Sequence, residues 1–207
     1  SWMFRRAPGF FDEVCYTGTG SATTVAHNLG VVPELLIVKT RSNAVGWAVS
    51  CGAVGYTNGS RLELTDPFYS EPNRITGTPT TTTFPVGTDA YVNVSARTYV
   101  AYLFASCPGV SKVGSYTGTG TTQTINCGFS AGARFVLIKR TDAAGDWYVW
   151  DSARGMVSGT DPSLLLNSTA AEVNANSIYA ITTGFQIVST AAGINASGGS
   201  YIFLAIA

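Results

Sequence analysis

The sequence predicts an all-β protein made of two tandem antiparallel β-sandwich-like domains. Three observations lead there: a strand-favouring composition, short apolar runs with strand periodicity, and an internal repeat of about 100 residues. Only 12% of the 207 residues are charged, glycine contributes 23, and Thr, Val, Tyr and Phe are frequent. β-branched and aromatic side chains suit a pleated, half-buried surface, and long runs of Glu, Lys and Ala are missing.

The repeat appears when the sequence slides against itself by 100 positions. Phe4, Pro8 and Gly9 then fall on Phe104, Pro108 and Gly109, and Tyr16-Thr17-Gly18-Thr19-Gly20 falls on Tyr116-Thr117-Gly118-Thr119-Gly120. Thr24, Lys39, Ala44, Trp47, Val49, Ala53 and Gly55 match Thr124, Lys139, Ala144, Trp147, Val149, Ala153 and Gly155. These identities need no gap and far exceed the roughly four that chance would give. Later the register drifts by two, so that Val92-Asn93-Val94-Ser95 and Tyr99-Val100 correspond to Ile194-Asn195-Ala196-Ser197 and Tyr201-Ile202. A change of loop length accounts for that. The domains are therefore read as 1–108 and 109–207, with 1–9 matching the closing strand and linker of a preceding repeat. Trp2 to Arg6 aligns with Tyr102 to Ser106, so the chain is expected to open with the last strand of a truncated third copy.

The elements follow in order. Leu35-Leu36-Ile37-Val38 and Phe135-Val136-Leu137-Ile138 are short apolar runs, which predicts central strands buried on both faces. Arg61-Leu62-Glu63-Leu64-Thr65 alternates strictly, as does Phe185-Gln186-Ile187, which predicts strands with one wet face. Tyr99 to Ala105 and Tyr201 to Ala207 are β-prone and close each copy, while the two Gly-Thr-Gly segments are tight turns. Asp161-Pro162-Ser163 and Ser168 to Val173 carry helix-opening residues but are too short to hold a helix and read as loops. About seven strands per copy result, which fits a two-layer sandwich.

Twelve basic residues balance twelve acidic ones, so no net field draws the chain to nucleic acid or to an anionic membrane surface. A mean hydropathy of +0.19 with so few charges points to apolar surface covered by partner subunits, hence a homo-oligomer. No apolar run reaches the roughly 18 residues that would span a bilayer, and the first residues lack the order of a signal peptide. Cys15, Cys51, Cys107 and Cys127 show no C-x-x-C spacing and read as buried free thiols.

His27 is the single histidine and precedes the turn Asn28-Leu29-Gly30, so it supports neither a triad nor a multi-histidine metal site. Glu63 with Glu71 or Asp66 forms the kind of carboxylate pair that any β protein offers, a weak basis for glycoside hydrolysis. The expectation is a protein that is not an enzyme, with no cofactor and no metal. Trp47 and Trp147 read as core anchors. Tyr148 and Trp150, followed by Asp151 and Arg154, stand where the first copy has Ala48, Ser50, Cys51 and Val54. That aromatic pair beside charged groups is the candidate interface or glycan-binding site.

Arg5 to Asp12, Tyr16 to Gly20, His27 to Glu34, Lys139 to Asp142, Gly145 to Tyr148 and Ile194 to Gly199 resemble a repeated β-domain of tail-fibre and other tail-associated proteins of tailed bacteriophages. The resemblance covers almost the whole chain and implies a virion protein of the tail, extracellular when acting. It implies a spacer or host-attachment module that assembles with its own copies and other virion proteins, with no catalytic residues to carry over. The alternatives are a lectin-like module for a host surface polysaccharide and a capsid decoration protein.

Overall fold

The longest central strands form where the chain is β-branched, aliphatic and aromatic. The computed structural model, which describes residues 3–207, is nearly all β, and every strand pairing in it is antiparallel. The chain divides into two units, one of Ser1–Leu62 with Phe68–Ser106, the other of Glu63–Pro67 with Cys107–Ala207.

The first unit contains β1 (Phe11–Thr17), β2 (Thr23–Ala26), β3 (Leu35–Thr40), β4 (Trp47–Cys51), β5 (Asn58–Arg61), β6 (Tyr69–Ser70), β7 (Thr83–Val86) and β8 (Thr98–Phe104). The second contains β9 (Ser111–Thr117), β10 (Gln123–Asn126), β11 (Phe135–Arg140), β12 (Trp147–Asp151), β13 (Asp161–Leu165), β14 (Val173–Ala175), β15 (Ile178–Ile181), β16 (Gly184–Ile187) and β17 (Ser200–Ile206), with one helical turn, α1 (Ala192–Asn195). A six-stranded sheet ordered β1-β8-β3-β4-β5-β6 is matched by β9-β17-β11-β12-β13-β14. Each large sheet is accompanied by a small one, β2-β7 in the first unit and β10-β16-β15 in the second.

Side chains alternate across a strand, and that parity divides the large sheets. In the first unit Leu36, Val38, Ala48, Tyr99, Ala101 and Leu103 form one core with Val25, Phe84 and Val86 of the small sheet. In the second, Val136, Ile138, Trp150, Tyr201, Phe203 and Ala205 do the same with Ile125, Phe185 and Ile187. The opposite parity, with Leu35, Ile37 and Val49 or Leu137, Val149 and Ile202, is buried as well, as expected of β3 and β11 from their apolar runs.

Three segments differ from the sequence-based expectation. The ladder ends at Arg61, so Leu62 to Thr65 is not a strand. Leu62 still donates its N–H to the Trp47 carbonyl at 3.1 Å, but the next five residues leave the sheet. Asp161 to Ser163 opens β13 and is extended rather than helical or looped. Pro162 lies beyond the pairing with β12, which ends at Ser163, and stands opposite Asn174 of the edge strand β14. Met3 to Arg6 forms no strand either, and Trp2 lies outside the described residues. The place a closing strand would take is filled, since β8 is already paired on both sides by β1 and β3.

Candidate functional site

The residues shared by the two copies build two local devices. The first holds the Gly-Thr-Gly turn. Asn195, fully buried, accepts from the Thr119 N–H at 2.9 Å and from Gln123 Nε2 at 2.7 Å, and donates to the carbonyls of Thr121 at 2.7 Å and Ser189 at 2.8 Å. Asn93 repeats this in the first unit, accepting from the Thr19 N–H at 2.8 Å and donating to the carbonyls of Ser21 and Gly87, both at 2.7 Å. Beside each clip two tyrosines stack, Tyr16 on Tyr99 at 5.2 Å and Tyr116 on Tyr201 at 4.9 Å. Their hydroxyls donate to backbone carbonyls, Tyr116 to Ile194 at 2.6 Å and Tyr201 to Ala192 at 2.8 Å. Burial raises the pKa of Tyr16 and Tyr116 far above the usual phenol range, so both stay neutral donors.

The second device is an ammonium over an indole. Lys39 Nζ lies 5.9 Å from the Trp47 ring centroid and Lys139 Nζ 5.7 Å from that of Trp147. Trp147 is fully buried and Trp47 half-buried, and neither belongs to the core between the sheets.

The four predicted site residues do not form one platform. Tyr148 and Trp150 share a face of β12 and stack at 5.7 Å with 15° between ring planes. That face looks into the sandwich, so Trp150 is 1% exposed and is a core residue. Asp151 lies one residue further and therefore on the opposite face, where it forms an ion pair with Arg154. Arg154 also pairs with Glu172 at 2.8 Å.

The aromatic pair does border a cleft of about 260 Å³, whose walls include Ser163, Val173, Ser177 and Ile194. Trp150 Nε1 is buried without a hydrogen-bond partner among the described residues. The Tyr148 hydroxyl points at Asp146 Oδ2 at 3.5 Å, and burial, reinforced by that carboxylate, raises its pKa. Behind the cleft, Asp161 Oδ2 accepts the N–H groups of Ser177 at 2.6 Å and Ile178 at 2.5 Å, while Oδ1 has no partner. Burial raises the Asp161 pKa against the pull of those two donors. Asp161 was legible only as part of a loop opened by Asp-Pro, because its partners Ser177 and Ile178 lie sixteen and seventeen residues further along.

Glu71 is engaged by Arg74 at 3.2 Å, whereas Glu63 and Asp66 belong to the other unit. His27 Nδ1 accepts from the Leu29 N–H at 3.2 Å and Nε2 faces the Thr80 carbonyl at 3.3 Å. Burial lowers its pKa, which suits a neutral ring with the proton on Nε2. The four cysteines are free, but only Cys51 and Cys127 are buried; Cys107 is half-buried and Cys15 is exposed. Cys15 sits at one of the outward positions of the edge strand β1. No group of three or more His, Cys, Asp or Glu suited to a metal ion occurs among the described residues.

One family model matches residues 6–207, spanning both units, and the chain belongs to that family, described as a domain of unknown function (DUF7483). No curated protein and no solved structure matches the chain.

Proposed function

We propose that this member of the family is a non-enzymatic structural protein of a tailed-bacteriophage virion, a tail component that acts as a rigid spacer or host-attachment module. It assembles with its own copies and with other virion proteins. The likeness of the motifs from Arg5 to Gly199 to tail-associated β-domains supports this reading. The observation that carries it is where the repeated polar residues spend their hydrogen bonds. Asn93 and Asn195, Tyr16 and Tyr116, and Tyr99 and Tyr201 are all satisfied by groups of their own unit. What the two copies share is therefore a shape, and shape is the product of a spacer. Immunogold electron microscopy of purified virions tests this. Label along the tail supports it, and absence of the protein from the particle ends it.

The orphan Trp150 N–H beside an apolar cleft favours a second reading, in which the second unit takes an acetamido group of a host surface polysaccharide. The methyl would meet Val173 and Ile194, and the carbonyl would accept the indole proton. A titration with N-acetylated host oligosaccharide, followed by tryptophan fluorescence, should saturate for the parent and lose its response in Tyr148→Ala. A flat titration of the parent removes this reading.

A further inference from the structure

Both units build the ammonium–indole pair, but only that of the second unit is fully buried. Lys139 Nζ donates to the Gly145 carbonyl at 2.5 Å and to the Thr65 carbonyl at 2.9 Å, and the Gly145 N–H donates to Thr65 at 2.9 Å. Thr65 belongs to Glu63–Pro67, the segment that groups with the second unit, and Lys139 and Trp147 are both 0% exposed. In the first unit Lys39 Nζ donates to the Val45 carbonyl at 2.5 Å in the same way. Lys39 and Trp47 are only half-buried, and an ammonium has three protons to give.

The covering segment has a counterpart after β13. Leu62 donates its N–H to the Trp47 carbonyl at 3.1 Å and Leu166 to the Trp147 carbonyl at 2.9 Å, so Thr65 corresponds to Thr169. Ser168, Thr169 and Ala170 are exposed, and the turn is held by the Ser168 hydroxyl, which accepts from the Ala170 N–H at 3.0 Å.

We propose that a second copy of this chain seats its Ser168–Ala170 turn on the first unit, the Thr169 carbonyl accepting from the Lys39 ammonium as Thr65 accepts from Lys139. The occupant is a second copy because the equivalent segment already takes this place on the second unit. Turn and receptor lie on different units of one chain, so the contact is heterologous and repeats head to tail. Two differences weaken it relative to the covered pair. The Val45 N–H is already given to the Asn43 carbonyl at 3.0 Å, and Asp66, whose charge acts on Lys139, has Ala170 as its counterpart. The inference rests on the assembly part of the proposed function and deepens it.

Light scattering and sedimentation of the full chain over a concentration series test the contact. The parent mass should grow with concentration, Lys39→Met should weaken association about tenfold, and Ala170→Asp should strengthen it by restoring the carboxylate. Amine acylation read by mass spectrometry needs no substitution: Lys39 should lose reactivity on assembly while Lys112 keeps it. Association that Lys39→Met leaves unchanged, with Lys39 still reactive, overturns this contact but not assembly. A single-chain mass for parent and Ala170→Asp alike overturns both.

Discussion

At the scale of single residues, the two buried asparagines each tie a Gly-Thr-Gly turn to residues far along the chain. Asn195, itself fully buried, makes four side-chain hydrogen bonds, and truncation takes the partner from the Thr119 N–H and from the Thr121 and Ser189 carbonyls at the edge of the core. A buried group left without its partner costs about 1–3 kcal/mol, and water can replace part of the loss at the exposed Thr119 and Thr121, so Asn195→Ala should cost about 1–3 kcal/mol in chemical denaturation. Asn195→Asp should fare no better, because it trades two donated bonds for a buried carboxylate. A loss below about 1 kcal/mol for the alanine variant would remove the clip from the account of stability. Gly118 belongs to the same device for a steric reason, since a Cβ there would run into the Ala196 carbonyl, as one at Gly18 would into that of Val94. Gly118→Ala should cost about 1–3 kcal/mol, read as a lower unfolding midpoint. The asparagines and glycines were legible in the sequence as repeated letters. Their task was not, because Asn195 acts on residues more than seventy positions earlier. Trp147 and Trp150 show the same limit from the other side. Period-two alternation put them on opposite faces, but it does not say which face is the interior, and Trp150 is the one packed between the sheets.

At the scale of elements, the sequence resolved what depends on local chemistry and missed what depends on a distant partner. The apolar runs at Leu35 and Phe135 became β3 and β11, and the β-prone closing segments became β8 and β17. The alternation from Arg61 to Thr65 looked like a strand, yet its second half is drawn away by Lys139 and Gly145, groups some eighty residues further along. That capture leaves a pH signature. Burial lowers the Lys139 pKa to about 8, although Asp146 and Asp66 pull it upward. The unfolded chain keeps this proton to about 10.4, so between the two values it binds more protons than the folded chain, and stability rises with pH. Cys51 and Cys127 act in the opposite sense. Burial pushes their thiols up to about 11 and about 12, so stability falls once unfolded thiols ionise, above about pH 9. The Lys139 effect should therefore show most cleanly from about pH 8 to about pH 9. Urea unfolding across that window should give a rising midpoint for the parent and a flat one for Lys139→Met. Parallel profiles for the two chains would mean that the ammonium does not report on the seating of Glu63–Pro67.

At the scale of the whole molecule, the repeat predicts folding order as well as fold. In each unit the first long strand pairs with the last, Phe11 opposite Phe104 and Ser111 opposite Ile206, whereas β3 with β4 and β11 with β12 are near neighbours in sequence. Closing a long loop costs entropy before the pairing returns anything, so the central hairpins should form early and the edge strands late. Refolding should accordingly take milliseconds to seconds, the range of sandwiches dominated by distant pairings. The clip gives the prediction its sharper form. Asn195 ties the turn after β9 to the residues just before β17, the pair that closes the unit, so its bonds should be absent from the folding transition state. Asn195→Ala should then speed unfolding and leave the folding rate nearly unchanged. Leu137→Ala, in the hairpin where Leu137 faces Val149, should slow folding instead. Stopped-flow chevrons of both variants decide it: if Asn195→Ala slows folding as much as Leu137→Ala does, closure of the sheet precedes or accompanies the hairpin, and the order inferred from the topology is reversed.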